Sequence, residues 1–236
     1  MRITRTGIGA IISLLMLLLF SCFRAAERRK KNNAGFSTAE IQDSLGFGLF
    51  PGIAVWKVFE QGTLLGKGIK LFEPVGEIPV ITESGRFAVS RTEFILAAVC
   101  FTGVVLWLIL RKKDLPENGD LLLIVLCVWG LIRAFTEGFR KETVLRAGSF
   151  NLTQILLLAA ADVSFAVWTV RLEAAQKNTA FSVLEWIAVL SCEVVMVLNT
   201  ADILSAGNRI GDMAVNAGCV ILCMLLMLSA GKDSRN

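Results

Sequence analysis

Six stretches of this chain are apolar over so many consecutive residues that a bilayer, rather than water, is the medium they fit. They cover residues 7–23, 94–110, 121–135, 152–170, 181–198 and 213–230. Each approaches the roughly 17 to 25 residues a helix needs to cross a hydrocarbon layer about 30 Å thick. A seventh stretch, 41–59, is interrupted by Gly46, Gly48, Pro51 and Gly52. Such residues are tolerated in a span where neighbouring helices satisfy the backbone. With 55% hydrophobic residues against 19% charged, composition points to the same class. The expected fold is therefore an all-α integral membrane protein of about seven transmembrane helices, folded as a single polytopic domain over 1–236.

Charge narrows the partners. The formal net charge of +4 is spread along the chain rather than gathered on one element. It reads as loop charge attracted to anionic lipid, and nucleic acid is not an expected partner. The start, MRITRTGIGAIISLLMLLLFSC, has the basic flank, apolar run and terminal Cys22 of a lipoprotein signal peptide. Bulky Phe20 beside the cleavage point and the following RAAERRKK favour an uncleaved helix with a stop-transfer flank instead.

Basic residues set the expected orientation, because short cytoplasmic loops are enriched in Lys and Arg. Arg24, Arg28, Arg29, Lys30 and Lys31 follow the first apolar run, and Arg111, Lys112 and Lys113 follow the third. That places the N-terminus outside and the C-terminus, with Lys232 and Arg235, in the cytoplasm. Residues 41–59 must then cross, since otherwise Arg111 to Lys113 fall outside. The outside stretch 61–93 holds GIKLFEPVGEIPVITESGRFAVS, in which prolines and glycines punctuate short apolar runs. It is expected to form a small irregular or β-rich extracytoplasmic cap.

Within GLIRAFTEGFR, Arg133, Glu137 and Arg140 fall at i, i+4 and i+7, on one face of the helix that begins near Leu121. Three readings of this face stand side by side. The two arginines snorkel to head-group level with Glu137 neutralising them. Alternatively, they form a fork for a lipid phosphate, whose oxygens guanidinium groups meet in a bidentate manner. In the third, the charges make an ion pair that only fixes helix packing.

Asp162 and Glu193 lie deeper in apolar runs. Both being acidic, they cannot pair with each other when ionised; each accepts a hydrogen bond in its protonated form, or one of them faces Arg133. Their expected role is packing, with a proton or cation path as the competing reading, and that reading brings with it a small transporter component. The six cysteines sit in or at the ends of apolar runs with no disulfide spacing, and they read as packing. Cys219 and Cys223 share a helix face, but a chain without histidine offers a metal few further ligands. No metal or cofactor is expected.

From about Ser90 to Trp168 the chain resembles the C-terminal part of the bacterial prolipoprotein diacylglyceryl transferases. That family carries Gly-x-x-Arg-x-x-x-Glu-x-x-Arg, matched here by Gly130, Arg133, Glu137 and Arg140, and then a helix with a Gln-Ile-Leu turn, matched by NLTQIL and Gln154. Upstream, residues 1–66 are similar to two of its helices, with Gly62 and Gly66 matching its signature glycines. The resemblance covers residues 1–172, and the last two helices, in 173–236, are additional to it.

The family moves a diacylglyceryl group from phosphatidylglycerol to the thiol of a lipobox cysteine at the outer face of the plasma membrane, without metal or cofactor. The resemblance therefore implies phosphatidylglycerol and prolipoprotein signal peptides as partners and a bacterial plasma membrane as the location. It implies Arg133 and Glu137 as catalytic residues, with Arg133, Arg140, Gln154, Gly62 and Gly66 binding substrate. The departures imply a different outcome. Val55, Val58, Gln61 and Thr63 stand where the family has Arg, two Asn and Glu, Ser90 and Leu96 replace its histidine and glutamate, and the chain holds no histidine or tyrosine. Those losses fit a catalytically inactive relative that binds phospholipid or lipoprotein precursor.

Overall fold

A computed structural model describes residues 5–32, 38–64, 89–110, 120–139, 145–174, 183–204 and 209–230. Among the described residues seven helices form: α1 Arg5–Asn32, α2 Thr38–Leu64, α3 Val89–Leu110, α4 Asp120–Gly138, α5 Leu152–Ala174, α6 Val183–Thr200 and α7 Arg209–Ala230. Each overlaps one of the apolar stretches read from the sequence. Three of them, over Asp120–Gly138, Leu152–Arg171 and Val183–Thr200, are long and apolar enough to cross a membrane. Ala10–Ala26, Thr92–Leu106 and Gly211–Met227 are shorter apolar helices. Of the expected cap, residues 61–64 continue α2 and 89–93 open α3, while 65–88 lie outside the described residues. The chain divides into two compact units, 1–125 and 126–236, so α4 begins in the first and ends in the second.

In the first unit the glycines that interrupt the 41–59 stretch are what bring its helices together. Gly48 and Gly52 sit four residues apart on one face of α2 and rest on Leu17, Ser13 and Ser21 of α1. A Cβ at Gly48 would collide with the Leu17 carbonyl, and one at Gly52 would stand 3.1 Å from the Leu17 Cβ. This is the small-residue spacing by which membrane helices approach closely. Gly46 does the same against α4, where a Cβ would lie 2.8 Å from Leu122 backbone atoms.

Phe20, Phe47 and Phe101 join α1, α2 and α3, with ring centroids 5.4 to 6.2 Å apart. Buried polar groups flank that core on both sides. Arg24 lies over the Phe47 ring at 5.8 Å. Asp43 Oδ1 accepts from the Leu121 amide at 3.1 Å, satisfying one of the four amides that a helix N-terminus leaves without a partner. Further along α2, Lys57 Nζ meets Glu93 of α3 at 2.6 Å, both side chains almost wholly buried.

The second unit is built from apolar stripes at helical spacing. α5 buries Gln154, Leu158, Ala161, Phe165 and Trp168, α6 buries Val189, Glu193, Met196 and Asn199, and α7 buries Asn216, Val220, Cys223 and Met227. The opposite faces carry exposed Leu156, Val163, Leu184, Ile187, Ile221 and Leu225. Exposed apolar faces of this extent suit lipid rather than water. The end of α4 is buried nearly all round, at Leu131, Ile132, Ala134, Thr136 and Glu137. Gly130 lets α5 close on it, since a Cβ there would come within 2.9 Å of the Ala161 Cβ.

Two strands of two residues each, β1 Arg146–Ala147 and β2 Phe150–Asn151, pair antiparallel and lead into α5. Gly148 takes φ +60° in their turn, where glycine pays no steric penalty. α6 ends with Asp202 at φ +60° and the bonds Ile203 N to Leu198 O and Asp202 N to Asn199 O, a Schellman closure.

Candidate functional site

The polar groups of the second unit gather where α4 ends, α5 begins and α6 ends. Three chain positions create this. Asn151 stands immediately before the apolar run of α5, and its Oδ1 accepts from the Gln154 amide at 3.2 Å, a helix N-cap. The same side chain donates through Nδ2 to the Glu137 carbonyl at 3.0 Å, so one asparagine ties the last turn of α4 to the first turn of α5. Gly138 then leaves room above the end of α4. A Cβ there would lie 2.5 Å from Thr200 Cγ2 and 2.9 Å from Gln154 Nε2.

Through that gap Thr200 of α6 donates to Gln154 Oε1 at 2.7 Å. Gln154 is fully buried, and its Nε2 has no hydrogen-bond acceptor among the described residues. Beside it, Asn199 donates to Asn216 Oδ1 at 2.9 Å and to the Asp212 carbonyl at 3.0 Å, fastening α6 to α7. Hydrogen bonds of this kind join helices that have no hydrophobic contrast with their surroundings.

Arg133 and Glu137 project from the same face of α4, as their spacing requires. Arg133 Nη2 lies 3.6 Å from Glu137 Oε2. At that distance the carboxylate orients the guanidinium by charge rather than by a direct hydrogen bond. The two are buried very differently: 20% of the Arg133 side chain is accessible but only 1% of that of Glu137.

The structure therefore brings Arg133, Glu137 and Gln154 to the same end of one unit, with Gln154 against Gly138, next in the chain to Glu137. Arg140 and Gly66 lie outside the described residues. Gly62 and Thr63 fall in the last turn of α2, in the other unit, and Val55 and Val58 lie earlier in the same helix. Sequence reasoning missed Asn151, Thr200, Gly138, Asn199 and Asn216. Of these, Asn151 had a readable signal: an asparagine directly before a long apolar run is a helix start.

Asp162 of α5 and Glu193 of α6 meet through their carboxyl groups. Among the described residues no group of three or more Cys, Asp and Glu is placed to hold a metal ion. Compared with known proteins, the chain matches no family model, no curated protein and no solved structure.

Proposed function

We propose that the chain is a polytopic membrane protein that binds the head group of an anionic phospholipid, phosphatidylglycerol above all, at the Arg133 end of α4. One observation carries this reading. Arg133 is a partly accessible cation on a helix apolar enough to cross a membrane, and the carboxylate that orients it is almost wholly buried. A guanidinium at that depth presents a planar set of donors that matches phosphate oxygens, and partial dehydration strengthens each such contact. In this reading the seven helices cross in alternation, with the N-terminus outside and the C-terminus in the cytoplasm. Arg133 then lies at the outer leaflet of a bacterial plasma membrane.

The resemblance through Gly130, Arg133, Glu137 and Gln154 extends the proposal to transfer. A lipobox thiolate would form a bond to the terminal glycerol carbon as the bond from that carbon to the phosphate oxygen breaks. Glycerol phosphate would leave with the electron pair, its charge held by Arg133. The lack of any histidine or tyrosine supports the alternative, in which the same site binds lipid or lipoprotein precursor without chemistry.

Incubating purified protein and Arg133→Ala with labelled phosphatidylglycerol and a lipobox peptide separates these outcomes. Transfer that depends on Arg133 establishes an enzyme. Retention of the lipid through Arg133 without transfer establishes the binding form. If the lipid neither binds nor reacts, the proposal fails.

A further inference from the structure

We propose that Asp162 and Glu193 form a proton-binding site, a carboxyl pair that holds one proton between α5 and α6. This site stands apart from the head-group reading and does not depend on it.

Two contacts fix how these helices lie together. At one end Thr200 bonds Gln154 at 2.7 Å. At the other, Phe165 stacks on Trp186 with centroids 5.3 Å apart. The helices are therefore antiparallel, and positions between those contacts face each other at matching depth. Advancing along α5 from Gln154 to Asp162 covers about 12 Å, and retreating along α6 from Thr200 to Glu193 covers about 10 Å, at about 1.5 Å per residue. The register thus sets Asp162 and Glu193 at the same depth on adjacent helices, where their side chains interact.

Nothing else among the described residues supplies what these oxygens need. Glu193 is 6% exposed, and its Oε1 is buried without a hydrogen-bond partner, as is Asp162 Oδ1. The titratable neighbours are thiols: Cys127 of α4 beside both acids, and Cys223 of α7 beside Glu193. The Cys127 thiol donates to Met227 Sδ at 3.3 Å, and the Cys223 thiol points to the Val189 carbonyl at 3.9 Å. An ionised carboxylate only accepts hydrogen bonds, so two carboxyl groups bond each other only when one carries a proton. Two like charges facing each other, with Glu193 buried and Asp162 half-buried, would instead repel. The pair is complete with one proton and unstable as a dianion, which makes that proton a bound ligand of the fold.

Infrared spectroscopy of the full chain in detergent micelles tests this at about pH 7, where unperturbed carboxyl groups are ionised. The wild type should show the carbonyl stretch of one protonated carboxyl group, shifting in heavy water. Asp162→Asn and Glu193→Gln each place an amide donor opposite the remaining carboxylate, so no proton is required and the band should vanish in both. Thermal unfolding and gel filtration confirm that each amide variant is folded. A wild type without the band overturns the proposal, because both groups would then be ionised. So does a band of unchanged size in both single variants, which would place the protonated group elsewhere. A band lost in only one of them would show a lone protonated acid rather than a pair.

Discussion

Asn151→Ala removes two interactions with one truncation, and its cost can be worked out from the structure. The first loss is the N-cap of α5, the Gln154 amide to Asn151 Oδ1 at 3.2 Å, for which such substitutions cost about 0.5 to 2 kcal/mol. The second is the donor to the Glu137 carbonyl at 3.0 Å, in a position where Asn151 is only 7% exposed. Leaving a buried carbonyl without its partner costs about 1 to 3 kcal/mol. Together the variant should lose about 1.5 to 5 kcal/mol.

Asn151→Asp divides the two contributions. Its carboxylate still caps the Gln154 amide and suits the positive end of the helix dipole, but it has no proton to give to Glu137. It should therefore fall between wild type and alanine. Reversible denaturation in micelles, followed by far-ultraviolet circular dichroism, reads both. An alanine variant within about 0.5 kcal/mol of wild type would refute the reasoning, since surface changes alone have that size. An aspartate variant as costly as alanine would refute the role of the cap.

The remaining expectations concern helix packing. Gly130→Ala should cost about 1 to 3 kcal/mol through overpacking against Ala161, whereas Gly103→Ala, where a Cβ meets nothing within 4 Å, should be neutral or stabilising by up to about 1 kcal/mol; equal effects would contradict the close approach of α4 and α5. Lys57→Met leaves Glu93 buried without its cation and should lose about 3 to 5 kcal/mol. The double change Lys57→Met with Glu93→Leu should recover most of that loss, and thermal unfolding that shows no recovery would argue against the buried pair.

The helices were legible because apolar length is a coarse signal that survives without tertiary context. The stretch 41–59 shows the limit of that signal. Its glycines read as interruptions, yet Gly48 and Gly52 are the surface on which α1 packs, and only the partner helix reveals this. Arg133 and Glu137 were legible because spacing along a single helix fixes their face. Thr200 and Asn216 were not, since their roles depend on which helix lies opposite. Lys57 and Glu93 lie 36 positions apart, beyond the reach of local pattern. The last two apolar runs, read as additions, share a compact unit with Arg133, and α6 contributes Thr200 to its polar end.

The most direct test of the central claim is the affinity of purified protein for phosphatidylglycerol against phosphatidylcholine, measured by native mass spectrometry for wild type, Arg133→Ala and Arg133→Lys. Losing charge-assisted hydrogen bonds worth about 1.5 to 3 kcal/mol corresponds to a roughly 10- to 150-fold fall in affinity. The alanine variant should show that fall and the lysine variant a smaller one, and the preference for the anionic lipid should disappear with the arginine. Equal retention of both lipids by all three proteins would contradict the claim.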